Sequence, residues 1–214
     1  MMMLSFLRIR LVFVFVLAGG FLTGCVTTTT PATRFYVLNP LTPGAGLSRD
    51  AGLNGELSVE VASLRLPQYL ERPQIVTRSS ENRLELAEFH QWGGNLKKNM
   101  MRVLAKNLSQ FLATPNIAIS PNRPSIPPDF LVELEVMQFE RDSHGQVRLS
   151  TQWRLSRGKD RMPLATHMTD LSSATVPAGS DFEHTVSAMS TLLGELSQII
   201  GLEIVKNVNR SSDP

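Results

Sequence analysis

The chain has 214 residues, 42% of them hydrophobic, which allows one or two ordinary domains with a filled core. Of its 21 basic residues, Arg8 and Arg10 lie ahead of Cys25 and no acid does, so 19 basic residues face 19 acidic ones beyond that point. A neutral body has no basic surplus for nucleic acid, and a single cysteine excludes an internal disulfide framework.

After Arg8 and Arg10, Leu11 to Leu22 is an uncharged, mostly apolar run of twelve residues. A helix needs about 20 residues to cross a hydrocarbon core of roughly 30 Å. A basic start, a short apolar run and the small residues after it predict a cleavable signal peptide over residues 1–24, not a membrane span. Leu22-Thr23-Gly24-Cys25 resembles the bacterial lipobox. Small side chains before the scissile bond suit a protease cleft, and the Cys25 thiol carries the diacylglycerol. The amino group freed by cleavage can take a further acyl chain. At about 0.8 kcal/mol per buried CH₂, one chain holds weakly and two or three hold durably. The expected membrane link is this acyl anchor. Val26 follows, where Asp in the sorting pattern that this resembles would retain the protein in the inner membrane; Val implies export to the outer membrane.

Residues 25–33 read as the lipidated cysteine and a Thr-rich tether. Fully extended, the eight residues from Val26 to Thr33 reach at most roughly 25 to 29 Å. A single domain is expected over 34–208, with a disordered tail at 209–214. Phe35 to Leu38 is a short β-rich run closed by Asn39-Pro40, and Pro43 to Gly55 has no period and reads as a loop. Leu57-Ser58-Val59-Glu60-Val61 alternates and predicts a half-buried strand. Gln74 to Arg78 and Arg83 to Ala87 predict a hairpin around Ser79 to Asn82. Trp92, Leu96, Met100, Val103 and Phe111, with Leu104 and Leu108 beside them, then fall on one helical face. Thr114-Pro115 stops that helix.

Beyond the Pro-rich connector Pro121 to Pro128, Val132, Leu134 and Val136 alternate with Glu133 and Glu135. Val147, Leu149, Thr151, Trp153 and Leu155 alternate with Gln146, Arg148, Ser150, Gln152 and Arg154. Asp142-Ser143-His144-Gly145 has hairpin chemistry between these runs. Arg157 to Asp160 turns into a third strand, about Met162 to Leu171, and antiparallel pairing with one polar face is the natural reading. Ser180 and Glu183 form a capping box. Phe182, Val186, Met189, Leu193, Leu196, Ile200 and Ile204 then recur at steps of four and three. The expected fold is α+β and α/β sandwich-like: a mostly antiparallel sheet packed by two long helices.

The chain carries no HExxH, GxSxG, P-loop or GxGxxG motif. His90, His144, His167 and His184 stand apart from one another with no ligand spacing, so neither a metal nor a cofactor is expected. Acylation of Cys25 leaves no thiol nucleophile. No enzymatic activity is expected. Trp92, Trp153 and Met100 read as core residues, although each aromatic could also meet an acyl ligand or partner, and Met100-Met101 an adaptable apolar surface.

Arg65-Leu66-Pro67-Gln68-Tyr69-Leu70-Glu71-Arg72-Pro73-Gln74-Ile75-Val76-Thr77-Arg78, followed by Asn82-Arg83-Leu84-Glu85-Leu86-Ala87-Glu88-Phe89-His90-Gln91-Trp92, closely resembles the PqiC/YmbA family. Leu104-Ala105-Lys106-Asn107-Leu108 and the opening Phe35-Tyr36-Val37-Leu38 are similar to that family as well. Gly93-Gly94-Asn95 departs from it, since the family more often has Ala-Glu-Pro there. These are auxiliary lipoproteins of ABC-type and MCE-type intermembrane transport systems. The resemblance implies an outer-membrane lipoprotein facing the periplasm, docking an MCE-domain channel protein whose other end meets inner-membrane transporter subunits. Lipid traffic and envelope integrity would be its task. A tube end offers repeated sites, which suits a homo-oligomeric ring. Within Leu66 to Pro73, Tyr69 and Arg72 are candidate partner contacts, as Tyr and Arg are favoured interface anchors. The same stretch also reads as a structural crossover in which the prolines fix the path and Arg72 pairs locally. The competing functions are a lipoprotein activator of a peptidoglycan synthase, for which an eight-residue tether is short, and an envelope hydrolase, for which no nucleophile–base pair is found.

Overall fold

The computed structural model describes residues 31–42, 56–121, 126–176 and 182–212. Eight strands occur among the described residues: β1 (Arg34–Tyr36), β2 (Val59–Arg65), β3 (Gln74–Ser80), β4 (Arg83–Trp92), β5 (Ile117–Ile119), β6 (Phe130–Arg141), β7 (Gln146–Arg157) and β8 (Pro163–Thr175). Two helices accompany them, α1 (Leu96–Phe111) and α2 (Phe182–Ser212).

The centre of the sheet is β6, the strand whose valines and leucines alternate with glutamates. One edge pairs antiparallel with β7, from Phe130↔Arg157 to Arg141↔Val147, and β7 pairs antiparallel with β8. The other edge is shared. It runs parallel to β2 from Val59↔Phe130 to Arg65↔Glu135, and parallel to β3 at Thr77↔Arg141. Strands β2 and β3 therefore lie end to end along one edge of β6. Parallel β5 extends β2, antiparallel β4 extends β3, and parallel β1 extends β4. The result is a mixed eight-stranded sheet with two helices, an α+β fold in which most registered residue pairs are antiparallel.

The alternation in β7 decides which face meets the helices. Val147, Leu149, Thr151, Trp153 and Leu155 are buried, while Arg148, Gln152 and Arg154 are exposed. On α2, Val186, Met189, Leu193, Leu196, Ile200 and Ile204 are buried and Phe182 is half-buried, so the expected stripe is the packed one. The stretch Phe182–Arg210 is long and apolar enough to cross a membrane, yet it is packed against β7, β8 and α1 as a core helix. Two glycines set its closest approaches. A Cβ on Gly194 would overlap the Leu41 side chain, and one on Gly201 the Phe111 ring.

The structure differs from the sequence-based expectation where backbone partners, not side-chain period, decide. Trp92 ends β4 and does not open the helix: its amide donates to the Pro73 carbonyl at 2.7 Å, and the Gly93 amide to the Tyr36 carbonyl at 2.7 Å. Gly94, at φ 141°, then breaks the strand, and Asn95 caps α1 by accepting from the Lys98 amide at 3.0 Å. β4 thus runs five residues beyond the expected Ala87, through a register shift opposite Gln74 to Val76. β5, unexpected from so short a run, forms because β2 offers it a free edge. At the other end of α1, Ala113 (φ 51°) takes the left-handed conformation that closes helices. Trp92, Trp153, Met100 and Met101 are all core residues. The Ser180 half of the capping box lies outside the described residues.

Candidate partner-binding site

Where β2 leaves β6 after Glu135 and β3 rejoins it at Arg141, the intervening edge of β6 has no strand beside it. The Leu66 to Pro73 stretch crosses there. Pro67 and Pro73 bracket a single 3-10 turn, Gln68–Leu70, closed by the Leu70 amide on the Pro67 carbonyl at 2.9 Å. Leu70 is buried, Arg72 is exposed, and Tyr69 lies between these extremes.

Tyr69 is turned onto the vacated edge. Its hydroxyl donates to Glu140 Oε2 at 2.9 Å and approaches the Met137 carbonyl at 3.3 Å. The Glu140 side chain is fully buried, which no lone carboxylate tolerates. It also accepts from Arg78 Nε at 2.9 Å, Gln138 Nε2 at 3.1 Å and the Phe139 amide at 3.0 Å. A second Arg78 nitrogen lies 2.9 Å from Oε1, and Nη1 donates to the Glu81 carbonyl at 2.8 Å. Tyr69 and Arg78, nine positions apart in the same stretch, thus meet on one carboxylate from a distant strand.

Burial, then the Glu140 charge and hydrogen bond, push the Tyr69 phenol well above its ordinary value of 10.0. The folded chain therefore keeps this proton to higher pH than the unfolded chain. Its contribution to stability is complete below about pH 10 and is lost as pH rises further. Tyr69→Phe should cost about 2 kcal/mol near neutrality, the scale of a hydrogen bond to a charged group. It should also remove part of the alkaline destabilisation. Urea midpoints of both proteins at about pH 8 and about pH 11 check this; equal losses in the two would refute it.

Arg72 stands on the outer wall of a cleft of about 210 Å³, lined also by Leu66, Leu70, Glu71, Asn95 and Lys97. It forms no ion pair among the described residues. The first turn of α1 carries Lys97 and Lys98 and no acid, against the usual preference at a helix N-terminus. Of the two contact candidates, then, Arg72 faces solvent and Tyr69 supports the crossover from within.

A second feature is the fastening of residues 38–41. Asn99 grips Leu38 twice, accepting from its amide at 2.7 Å and donating to its carbonyl at 3.3 Å. Asn107 accepts from the Leu41 amide at 3.0 Å and donates to Ser197 Oγ at 3.3 Å. The Asn39 amide donates to Ser190 Oγ at 3.2 Å. Both helices thus hold residues 38–41, and Asn107 is the buried polar residue of the Leu104 to Leu108 stretch, whose Lys106 is exposed. Glu140, Asn99 and Asn107 were not marked as important by any period. Their sequence signal is polarity at a position the pattern assigns to the interior or its border, to which Asn107 adds its place in the family-like stretch Leu104 to Leu108.

The histidines are dispersed. His90 Nδ1 lies 2.8 Å from the Tyr36 hydroxyl, with its ring stacked on Phe182; His167 packs on Trp153 and lies 3.8 Å from Glu203. His144 and His184 are exposed. Among the described residues no group of three His, Cys, Asp or Glu side chains converges as a metal site. Cys25 lies outside the described residues.

Residues 36–201 match the family model described as ABC-type transport auxiliary lipoprotein component. A crystal structure of an uncharacterised protein superposes with a TM-score of 0.64 at 18% identity, covering 81% of this chain and 99% of that one. A protein from Xanthomonas campestris superposes at 0.67 with 13% identity, covering 85% of this chain and all of that one (100%). At such identities both likenesses speak for the fold alone. A comparison with curated proteins finds no match. With a family match over most of the chain, including the crossover, both helical asparagines and the sheet, the protein belongs to the ABC-type transport auxiliary lipoprotein family.

Proposed function

We propose that this protein is a lipid-anchored accessory of an intermembrane lipid transport system, held on the periplasmic face of the outer membrane through acylated Cys25. It docks the distal end of an MCE-domain channel whose other end joins inner-membrane transporter subunits, and so supports the envelope barrier. The observation that carries this reading is membership of a transport auxiliary lipoprotein family by a chain with Leu22-Thr23-Gly24-Cys25 before its fold. The grip of Asn99, Asn107 and Ser190 on residues 38–41 supports it, because a load on the anchor passes directly into both helices. Arg72, exposed beside Lys97, is the partner contact, and Tyr69 holds the crossover that presents it. Several copies arranged as a ring suit the repeated sites of a tube end.

Cys25→Ser should move the protein from the membrane fraction to the soluble periplasm, because its acyl chains supply the whole anchor. Crosslinked capture of the acylated protein should recover an MCE-domain protein and transporter subunits, and Arg72→Glu should reduce that recovery. Recovery of penicillin-binding proteins instead would favour the synthase-activator reading. Unchanged permeability on deletion, with redundant systems also removed, would refute the transport role.

A further inference from the structure

The first strand carries an apolar edge that the core does not use. Phe35 is 66% exposed and Val37 48%, while Tyr36 between them turns inward towards His90 and Phe182. Residues two apart in extended chain share a face. Both side chains stand near Gly93, where an added Cβ would meet Val37 Cγ1 at 3.2 Å and Phe35 Cβ at 3.9 Å. Beside them, β1 and the first half of α2 border a groove of about 600 Å³. Its α2 wall is Glu183, Val186, Ser187, Ser190 and Thr191.

Isolated apolar residues on a surface need no explanation, but a held pair does. This pair is held, since the chain just beyond it is bound at Leu38, Asn39 and Leu41 by Asn99, Ser190 and Asn107. Phe35 is also only ten residues from Cys25, a span of at most roughly 33 to 36 Å even fully extended. Among the described residues no other strand is tied so closely by chain to an acylated residue 25. Arg34 and Glu183 balance one another in charge, and the exposed Ser187 and Thr191 put hydroxyls suited to the headgroup layer on this wall.

The geometry points to a membrane-docking edge: Phe35 and Val37 insert into the headgroup boundary of the leaflet that holds the Cys25 acyl chains, with the hydroxyl-lined α2 wall against the headgroups. This rests on the acyl-anchor reading above. The edge gives the domain a fixed orientation on the bilayer, where a tether alone would let it swing. Apolar surface seated in this way lies about 5 to 10 Å into the headgroup and acyl boundary.

The test uses the full acylated chain with Phe35→Cys carrying an environment-sensitive fluorophore, reconstituted in vesicles of phosphatidylethanolamine and phosphatidylglycerol. Lys159→Cys, in the exposed turn between β7 and β8, carries the same label as control. Flotation reports the anchor, and quenching by spin-labelled lipid reports insertion. Floating protein with the residue 35 label blue-shifted and quenched, the control label unquenched, and the signal lost on adding Val37→Asp, is the expected result. Floating protein whose residue 35 label behaves like the control overturns the docking edge and leaves the anchor standing. Protein that does not float, with residue 25 unmodified by mass spectrometry, overturns both.

Discussion

Replacing Arg78 by alanine should destabilise the fold by about 3 kcal/mol, the scale of breaking a buried ion pair from one side. The cost arises at the other partner. Glu140 is fully buried on β6, and among the described residues Arg78 supplies its only cationic contact, at 2.9 Å. Tyr69, Gln138 and the Phe139 amide would remain as donors, which keeps the loss at the lower end of the range. Arg65→Ala is the comparison. Arg65 also meets a glutamate, Glu135 at 2.7 Å, but both side chains are largely exposed, and such pairs contribute less than about 1 kcal/mol. Urea denaturation of both variants checks the contrast, read as a midpoint shift at constant slope. Equal shifts would mean that the Glu140 cluster is no more than a surface pair. Because Tyr69 and Arg78 share one carboxylate, Tyr69→Phe and Arg78→Ala should not add, and the double variant measures their coupling.

A larger loss, about 4 kcal/mol, is expected for Trp153→Ala. Trp153 is 1% exposed, on the helix-facing side of β7. Its indole Nε1 donates to Thr169 Oγ1 at 2.9 Å, and its ring centroid lies 4.6 Å from that of His167. Truncation leaves a cavity between β7, β8 and α2, with a hydroxyl and an imidazole stripped of their neighbour. For a domain of this size each kcal/mol lowers the unfolding midpoint by roughly 2 to 4 °C, so a fall of roughly 8 to 16 °C is expected by calorimetry. Trp153→Phe keeps most of the ring and forfeits the hydrogen bond, and should lose under half as much. A drop below about 4 °C for the alanine variant would show that α2 closes over the gap, contrary to the rigid packing inferred here.

Much of the architecture was legible in local pattern. Alternation located β6 and β7 and told which of their residues face the helices, because a period of two has one buried side in a sheet covered on one face, while β8 was placed only as the strand after a turn. Steps of three and four located the packed stripe of α2 from Val186 to Ile204, and the same reasoning placed α1 except at its start. There the apolar period continued backwards through Trp92, although the backbone there was already engaged by Pro73 and Tyr36. Tyr69 and Arg72 were legible as a pair of contact candidates from the likeness of their motif, but not in the different directions they take.

The sequence by itself determined the strand and helix faces, the two-helix complement of one sheet, the balance of charge beyond Cys25 and the place of that cysteine after a short apolar run, since each depends on residues close together in the chain. Tertiary structure alone decided that β2 and β3 share one edge of β6, that β1 and β5 join in parallel, and that Tyr69, Arg78 and Glu140 converge. It alone set Asn99 on Leu38 and Asn107 on Leu41. These pairings unite residues 56 to 71 positions apart, and a periodic pattern reports which side of an element is buried but carries no information about what buries it.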